Sequence, residues 1–102
     1  MGNYVYAYRG GSMAATDQER ETAMAAWGSW FGGLGEAVVD AGNPFGASKS
    51  VGAAANGTAG SGLTGYSVVA ADSLDAATAL AEGCPVINSG GSVDVYETIA
   101  IS

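Results

Sequence analysis

Two strand–helix units, one in each half of the chain, most limit the folds that these 102 residues can adopt. The segment 3–8 alternates tyrosines with smaller residues, the period-two pattern of a strand with two different faces. Thr16 and Glu19 then have the spacing of a capping box, and a helix to about residue 34 follows. The same order returns as a β-rich segment over 66–71 and a second helix over about 72–82.

The remaining strand signals complete one domain over residues 1–102. We expect a strand over 36–41, a short strand over 47–51 and a last strand over about 92–99. The Gly-, Ala-, Ser- and Thr-rich stretch 52–65 reads as a loop around the turn pair Asn56-Gly57. The order β-α-β-(β)-β-α-β is that of a ferredoxin-like α+β domain, a split βαβ arrangement whose antiparallel sheet carries two helices on one face.

The composition of the chain favours self-association. Hydrophobic residues make up 48% of it and charged residues 13%, which is about half the charged share of an ordinary soluble domain. Two helices can cover one face of the sheet, so the other face or a pocket beside it should be apolar and aromatic. Large exposed apolar patches mark association, and we therefore expect a homodimer. All five tyrosines lie on predicted strands: Tyr4, Tyr6, Tyr8, Tyr66 and Tyr96.

The charge balance argues against two classes of partner. Arg9, Arg20 and Lys49 are the three cations of a chain whose net charge is −7, whereas nucleic acids and anionic membranes require clustered Lys and Arg. The start of the chain has no basic and apolar leader, and no apolar run of 18 residues follows. A single cysteine excludes a disulfide within the chain, and together these features predict a cytoplasmic protein.

The chain contains no histidine, which removes the usual ligands of zinc sites and the usual base of serine and cysteine hydrolases. Cys84 follows the end of the second predicted helix, whose dipole disfavours a thiolate, and we expect a packed, inert thiol. The segment 60–65 matches the dinucleotide pattern G-x-G-x-x-G as a string. It follows a loop and precedes a strand, whereas that fingerprint opens a helix. We therefore expect no metal and no cofactor.

Asp40 is the candidate catalytic residue. It lies in the apolar segment Ala37-Val38-Val39-Asp40-Ala41-Gly42, where desolvation would make it a better proton acceptor and suit it to general-base chemistry. The alternative is an aspartate on an edge strand that faces water or bonds a nearby amide.

The candidate ligand-binding residues are aromatic. Trp27 and Trp30 belong to an apolar stripe on the first helix and could line a pocket or belong to the core. Gly28, Gly32 and Gly33 weaken that helix, which is explained if another backbone or a ligand approaches it closely, and close helix packing is the favoured cause. Tyr6, Tyr66 and Arg9 complete the set as groups that could contact a ligand or stabilise developing charge.

Several motifs in this order resemble the YCII-related domain family, including its DGPF-type members. The resemblance covers nearly the whole chain and implies a dimeric α+β barrel, in which ferredoxin-like protomers join through their sheets. In YCII-like proteins a histidine and an aspartate are the suspected acid/base pair. The aspartate carries over to Asp40, whereas Val86 stands where close relatives often have a histidine after the Cys-Pro pair. The motifs are Trp27-Gly28-Ser29-Trp30-Phe31, Leu34-Gly35, Val39-Asp40-Ala41-Gly42-Asn43-Pro44-Phe45-Gly46, Ser48-Lys49, Gly65-Tyr66-Ser67, Asp72-Ser73-Leu74-Asp75, Gly83-Cys84-Pro85 and Val95-Tyr96-Glu97.

Two functional hypotheses follow. The first is a non-catalytic dimeric module that binds a small apolar or aromatic ligand between sheet and helices, or another protein. The second is a small-molecule lyase or isomerase that uses Asp40 as its general base. A buried Asp40 beside tyrosines in a closed pocket would favour the enzyme, and an Asp40 in water would favour the binding module.

Overall fold

A computed structural model describes residues 2–10, 16–47, 49, 51–52 and 62–99. The described chain forms a four-stranded antiparallel sheet with helices, which confirms the α+β class. In chain order the elements are β1 (Gly2–Arg9), α1 (Asp17–Leu34), a 3-10 turn (Gly35–Ala37), β2 (Val38–Asp40), β3 (Leu63–Ala71), α2 (Leu74–Ala81), α3 (Pro85–Asn88) and β4 (Ser92–Glu97).

The strands lie in the order β2-β3-β1-β4, and each neighbouring pair is antiparallel. β1 and β3, the strands of the two strand–helix units, therefore lie at the centre of the sheet. This order is compatible with the ferredoxin-like arrangement expected from the sequence.

Some element boundaries differ from the expectation. β3 begins at Leu63, inside the stretch that was expected to be a loop. The short strand expected over 47–51 is not found at its described residues 47, 49 and 51, although Pro44 forms an isolated bridge with Gly65. The expected turn at Asn56-Gly57 lies outside the described residues. The short helix α3 was not expected.

Both long helices begin at side-chain caps. The Thr16 hydroxyl accepts the backbone N–H of Glu19 at 3.1 Å, as the capping box predicts. Ser73 accepts the N–H of Ala76 at 3.0 Å and opens α2 in the same way. Gly35, with φ of +56°, ends α1 in a conformation that favours glycine. The caps explain why the helix starts were readable from local sequence.

One face of the sheet packs against both helices. The Tyr6 ring stacks on Trp30 with centroids 6.0 Å apart, and the Tyr8 ring meets Trp27 edge-on at 5.0 Å. The Tyr6 hydroxyl donates to the carbonyl of Ala77 in α2. The core lies between these layers and consists of Tyr4, Tyr6, Tyr8, Val69, Ala71, Ala77, Ala81, Cys84 and Val86.

The opposite face of the sheet, called the outer face below, carries the alternate side chains of β1, β3 and β4. Two tyrosines, Tyr66 and Tyr96, belong to this face, whereas Tyr4, Tyr6 and Tyr8 lie in the core. The aromatic content of the outer face is therefore smaller than the sequence suggested. The face is formed by Val5, Ala7, Arg9, Tyr66, Val68, Ala70, Asp94 and Tyr96.

The glycines of α1 do not mark a close approach within the protomer. A Cβ placed on Gly28, Gly32 or Gly33 would meet no atom of another described residue within 4 Å. The expectation of tight packing at these positions was wrong, because α1 turns its aromatic residues to the sheet and its glycines away from it. None of the α1 residues is fully buried.

Candidate ligand pocket

A pocket of about 650 Å³ opens between α1 and one end of the sheet. Its helix wall is formed by Met24, Trp27 and Phe31, and its sheet wall includes Tyr8 and Ser67. Segment 41–44 and the region of α3 close the remaining sides, which include Val86 and Ser89. A pocket of this size, with an apolar wall and a few polar groups, is suited to a small molecule.

The aromatic part of the wall comes from both layers. Trp27 and Phe31 are four residues apart on α1, so they share one helix face, and their ring centroids are 5.9 Å apart. The ring of Tyr8 meets Trp27 nearly at right angles, 80° between planes. Trp27 and Phe31 are each half-buried, so both retain surface that a ligand could contact.

A hydrogen-bond chain fixes the sheet wall. The Tyr8 hydroxyl donates to Ser67 Oγ at 2.7 Å, and Ser67 Oγ donates to the carbonyl of Ala41 at 2.6 Å. Ser67 is fully buried, and its bond joins β3 to the segment that follows β2. Burial raises the pKa of the Tyr8 hydroxyl far above its ordinary value, against the opposing effect of the Ser67 bond. Tyr8 therefore remains a neutral phenol.

The segment after β2 is held against β3 through Gly42. Gly42 has φ of +76°, and a Cβ there would lie 1.8 Å from the carbonyl oxygen of Tyr66. The Gly42 N–H donates to Asp40 Oδ1 at 2.9 Å, and the Tyr66 N–H donates to the Asn43 carbonyl at 3.3 Å. These contacts require glycine and place residues 41–44 at the mouth of the pocket.

Asp40 lies at the end of the edge strand β2 and is exposed. Its carboxylate accepts the Gly42 N–H and makes a long contact of 3.5 Å with the Tyr66 hydroxyl on the outer face. Asp40 is not among the residues that line the pocket. Of the two interpretations of Asp40, the structure contains the edge-strand aspartate bonded to a nearby amide and not the buried carboxylate.

Arg9 also lies outside the pocket. Its Nε donates to Asp94 Oδ2 at 2.5 Å on the outer face. This hydrogen bond is the main cause of a raised pKa of the guanidinium. Arg9 is therefore placed to stabilise the outer face and not to contact a ligand between sheet and helix.

Tyr6 and Trp30 lie behind the pocket, in the core. Tyr6 is fully buried, which raises the pKa of its hydroxyl to about 12, with a smaller contribution from Cys84. The Trp30 indole N–H donates to the carbonyl of Leu80 at 3.1 Å. Cys84 is a buried thiol whose pKa is raised to about 11 by burial, and the prediction of a packed thiol is confirmed.

Of the six candidate residues, Trp27 and Tyr66 contribute to the pocket wall. The sequence reasoning missed Tyr8, Phe31 and Ser67. Tyr8 shares the strand face of Tyr6, and Phe31 follows Trp27 by one helical turn, so the two periodicities could have identified both. Ser67 has no such signal, because its importance comes from partners in β1 and after β2.

Within the described ranges, no group of three or more His, Cys, Asp or Glu side chains could hold a metal ion. Nor is any helix of the described chain long and apolar enough to cross a bilayer. No family model, curated protein or solved structure matches this chain. The site therefore has to be interpreted from its own geometry.

Proposed function

We propose that this protein is a homodimeric, cytoplasmic binding module that takes a small apolar or aromatic ligand in the pocket between α1 and the sheet. The observation that carries the proposal is the aromatic wall of Trp27, Phe31 and Tyr8 around about 650 Å³ of space. The resemblance to the YCII-related family supports the dimeric part of the proposal, which rests on the outer face.

The pocket wall favours binding by burial of apolar surface. None of the described residues that line it is charged, so these residues lose no charge hydration when a ligand enters. Burying about 150 Å² of apolar ligand surface contributes roughly 4 kcal/mol, before the cost of association is subtracted. We therefore expect affinities in the micromolar to millimolar range for small probes.

The outer face supports the homodimer. Val5 and Val68 lie directly opposite each other across β1 and β3, and Tyr96 is 53% exposed beside Val5 on β4. The ion pair of Arg9 and Asp94 borders this surface. Two copies joined face to face would cover the apolar centre, and the paired charges would lie near its border.

A lyase or isomerase based on Asp40 is the alternative function. It needs a substrate beside Asp40, on the outer side of β2, whereas the aromatic pocket lies on the helix side of the sheet. Asp40 also has a structural task, since its carboxylate holds the N–H of Gly42. The binding module is the better supported proposal.

The two phenylalanines of the chain provide a matched test. Phe31 lines the pocket, and Phe45 stacks on Tyr66 with centroids 5.8 Å apart and does not line it. We expect the neutral fluorescent probe N-phenyl-1-naphthylamine to bind the wild-type protein with enhanced emission. Phe31→Ala should weaken binding by about tenfold, because it removes one aromatic wall, and Phe45→Ala should leave it nearly unchanged.

The control for this test is the fold of each variant. Thermal unfolding followed by circular dichroism should show that both variants are folded at the titration temperature. Equal affinities of the two variants for the probe, or an absence of binding to the wild type, would contradict the pocket as the binding site.

A further inference from the structure

We propose that the ligand of this pocket is a small organic cation, an ammonium group with apolar substituents. This inference rests on the proposed binding function and adds to it the chemical class of the ligand. Three features of the described wall support it: hydroxyl groups that already donate within the protein, the absence of Lys and Arg, and aromatic surfaces.

Among the described lining residues other than Tyr66, whose hydroxyl lies on the outer face, four carry hydroxyl groups, and each hydroxyl donates its hydrogen to an acceptor of the protein. A hydroxyl carries one hydrogen and two lone pairs, so these four groups have no hydrogen left to donate to a ligand. The Asn43 amide also lines the wall, so the hydroxyls favour, without requiring, a ligand that donates or is positively charged. The four bonds run from Tyr8 to Ser67 Oγ (2.7 Å), from Ser67 to the Ala41 carbonyl (2.6 Å), from Thr64 to the Tyr8 carbonyl (3.3 Å) and from Ser89 to the Val86 carbonyl (3.0 Å).

The charges around the pocket also favour a cationic ligand. Among the described residues, no Lys or Arg lines the pocket. Arg9 is paired with Asp94 on the outer face, Arg20 is paired with Asp17 at the start of α1, and Lys49 is not part of the lining. Glu19 lines an adjoining groove that shares Trp27 and Ser89 with the pocket. A chain of net charge −7 attracts cations, and the described lining offers no cationic side chain to an anion.

Aromatic rings supply the attraction that an ammonium group needs, since no carboxylate is among the described residues of the wall. The electron-rich face of Trp, Tyr or Phe attracts a cation within about 6 Å of the ring centroid, and tryptophan does so most strongly. Trp27 and Phe31 lie side by side on α1, and Tyr8 faces them from β1. Trimethylated ammonium groups need no hydrogen-bond acceptor, so such a wall can hold them by ring contacts alone.

Choline and 3,3-dimethyl-1-butanol provide the direct test, since they have the same shape and differ in one atom, a charged nitrogen or a neutral carbon. We expect choline to bind about tenfold more tightly than the neutral isostere in calorimetric or NMR titrations. The N-methyl protons of bound choline should shift upfield, because they lie over aromatic faces. Added NaCl should weaken choline binding and leave the isostere unaffected.

Phe31→Leu separates ring contact from apolar burial, because leucine keeps an apolar side chain and removes the aromatic face. It should weaken choline binding several-fold more than isostere binding, while Phe45→Leu should change neither. Equal affinities for choline and its isostere would refute the proposed cationic ligand and leave the proposed pocket intact. Choline binding that is insensitive to Phe31→Leu would assign it to the acidic surface and would also overturn the inference.

The fluorescent probe distinguishes the remaining outcomes. If N-phenyl-1-naphthylamine binds in the pocket and choline does not bind, the proposal of a cationic ligand is refuted and the proposed binding function stands. If neither the probe, nor choline, nor the isostere binds, both proposals fail.

Discussion

Gly42→Ala should be among the most destabilising single-methyl additions to this protein. An alanine Cβ would lie 1.8 Å from the Tyr66 carbonyl oxygen, and real Cβ contacts stay above 3.0 Å, so the chain must move by more than 1 Å. That movement breaks the hydrogen bonds of Gly42 with Asp40 and of Tyr66 with Asn43. Left-handed strain of about 1 kcal/mol and two lost bonds of about 1 kcal/mol each give roughly 3 kcal/mol.

Urea unfolding followed by circular dichroism measures this loss, and Gly32→Ala is the matched control. Gly32 lies inside α1 with open space around its Cβ position, so the same substitution should stabilise the helix by up to about 1 kcal/mol. In thermal unfolding, 3 kcal/mol corresponds to a fall of roughly 12 °C or more for a domain of this size. A loss below about 1 kcal/mol for Gly42→Ala, or an equal loss for Gly32→Ala, would refute the reasoning.

Three further predictions concern pH, assembly and metals. Burial raises the pKa of Cys84 to about 11 and of Tyr6 to about 12, so the folded state keeps protons that the unfolded chain releases. The free energy of unfolding should therefore fall as the pH rises above about 9. Urea unfolding at pH 8 and pH 10 measures this fall, and Cys84→Ala should make it smaller. An equal fall in the wild type and in Cys84→Ala would contradict the role of Cys84. Light scattering should give about twice the 10.0 kDa of one chain, and Val68→Lys on the outer face should shift the mass towards the monomer while Ala79→Lys on α2 does not. EDTA should leave the melting temperature unchanged, and a large fall would show a metal site.

The helix starts and the two central strands were predictable because their signals are local. A capping hydroxyl and the amide that it binds are three residues apart, as Thr16 and Glu19 are. β3 was expected to start later, because Leu63 and Thr64 lie in a glycine-rich stretch and their pairing with β1 is a long-range contact. α3 was missed because Pro85 reads as a stop after α2. Proline also fits the first turn of a new helix, where its missing N–H has no helical partner.

The site was less predictable because its key contacts join distant segments. Ser67 bonds Ala41, which is 26 residues away, and Tyr8, which is 59 residues away. The apolar neighbours of Asp40 left both a buried and an edge-strand carboxylate open, and in the described sheet β2 lies at the edge. The order of the strands decides whether β2 lies at the edge or at the centre of the sheet, and the residues around Asp40 do not encode that order.

The pocket has a physical origin in a mismatch of side-chain size between two facing layers. Large rings on α1 meet a sheet in which Tyr8 pairs directly with Gly65, a residue without a side chain. A Cβ on Gly65 would lie 3.1 Å from the Asn43 carbonyl and 3.5 Å from the Tyr8 ring, so the glycine lets residues 43–44 and Tyr8 approach β3 closely. Residues 43–44 and Tyr8 therefore occupy the space above Gly65, and Trp27 rests edge-on against Tyr8. The pocket is the space that remains between these groups and the helix. Its described wall is largely aromatic and uncharged because the residues that keep the layers apart are the same residues that line it.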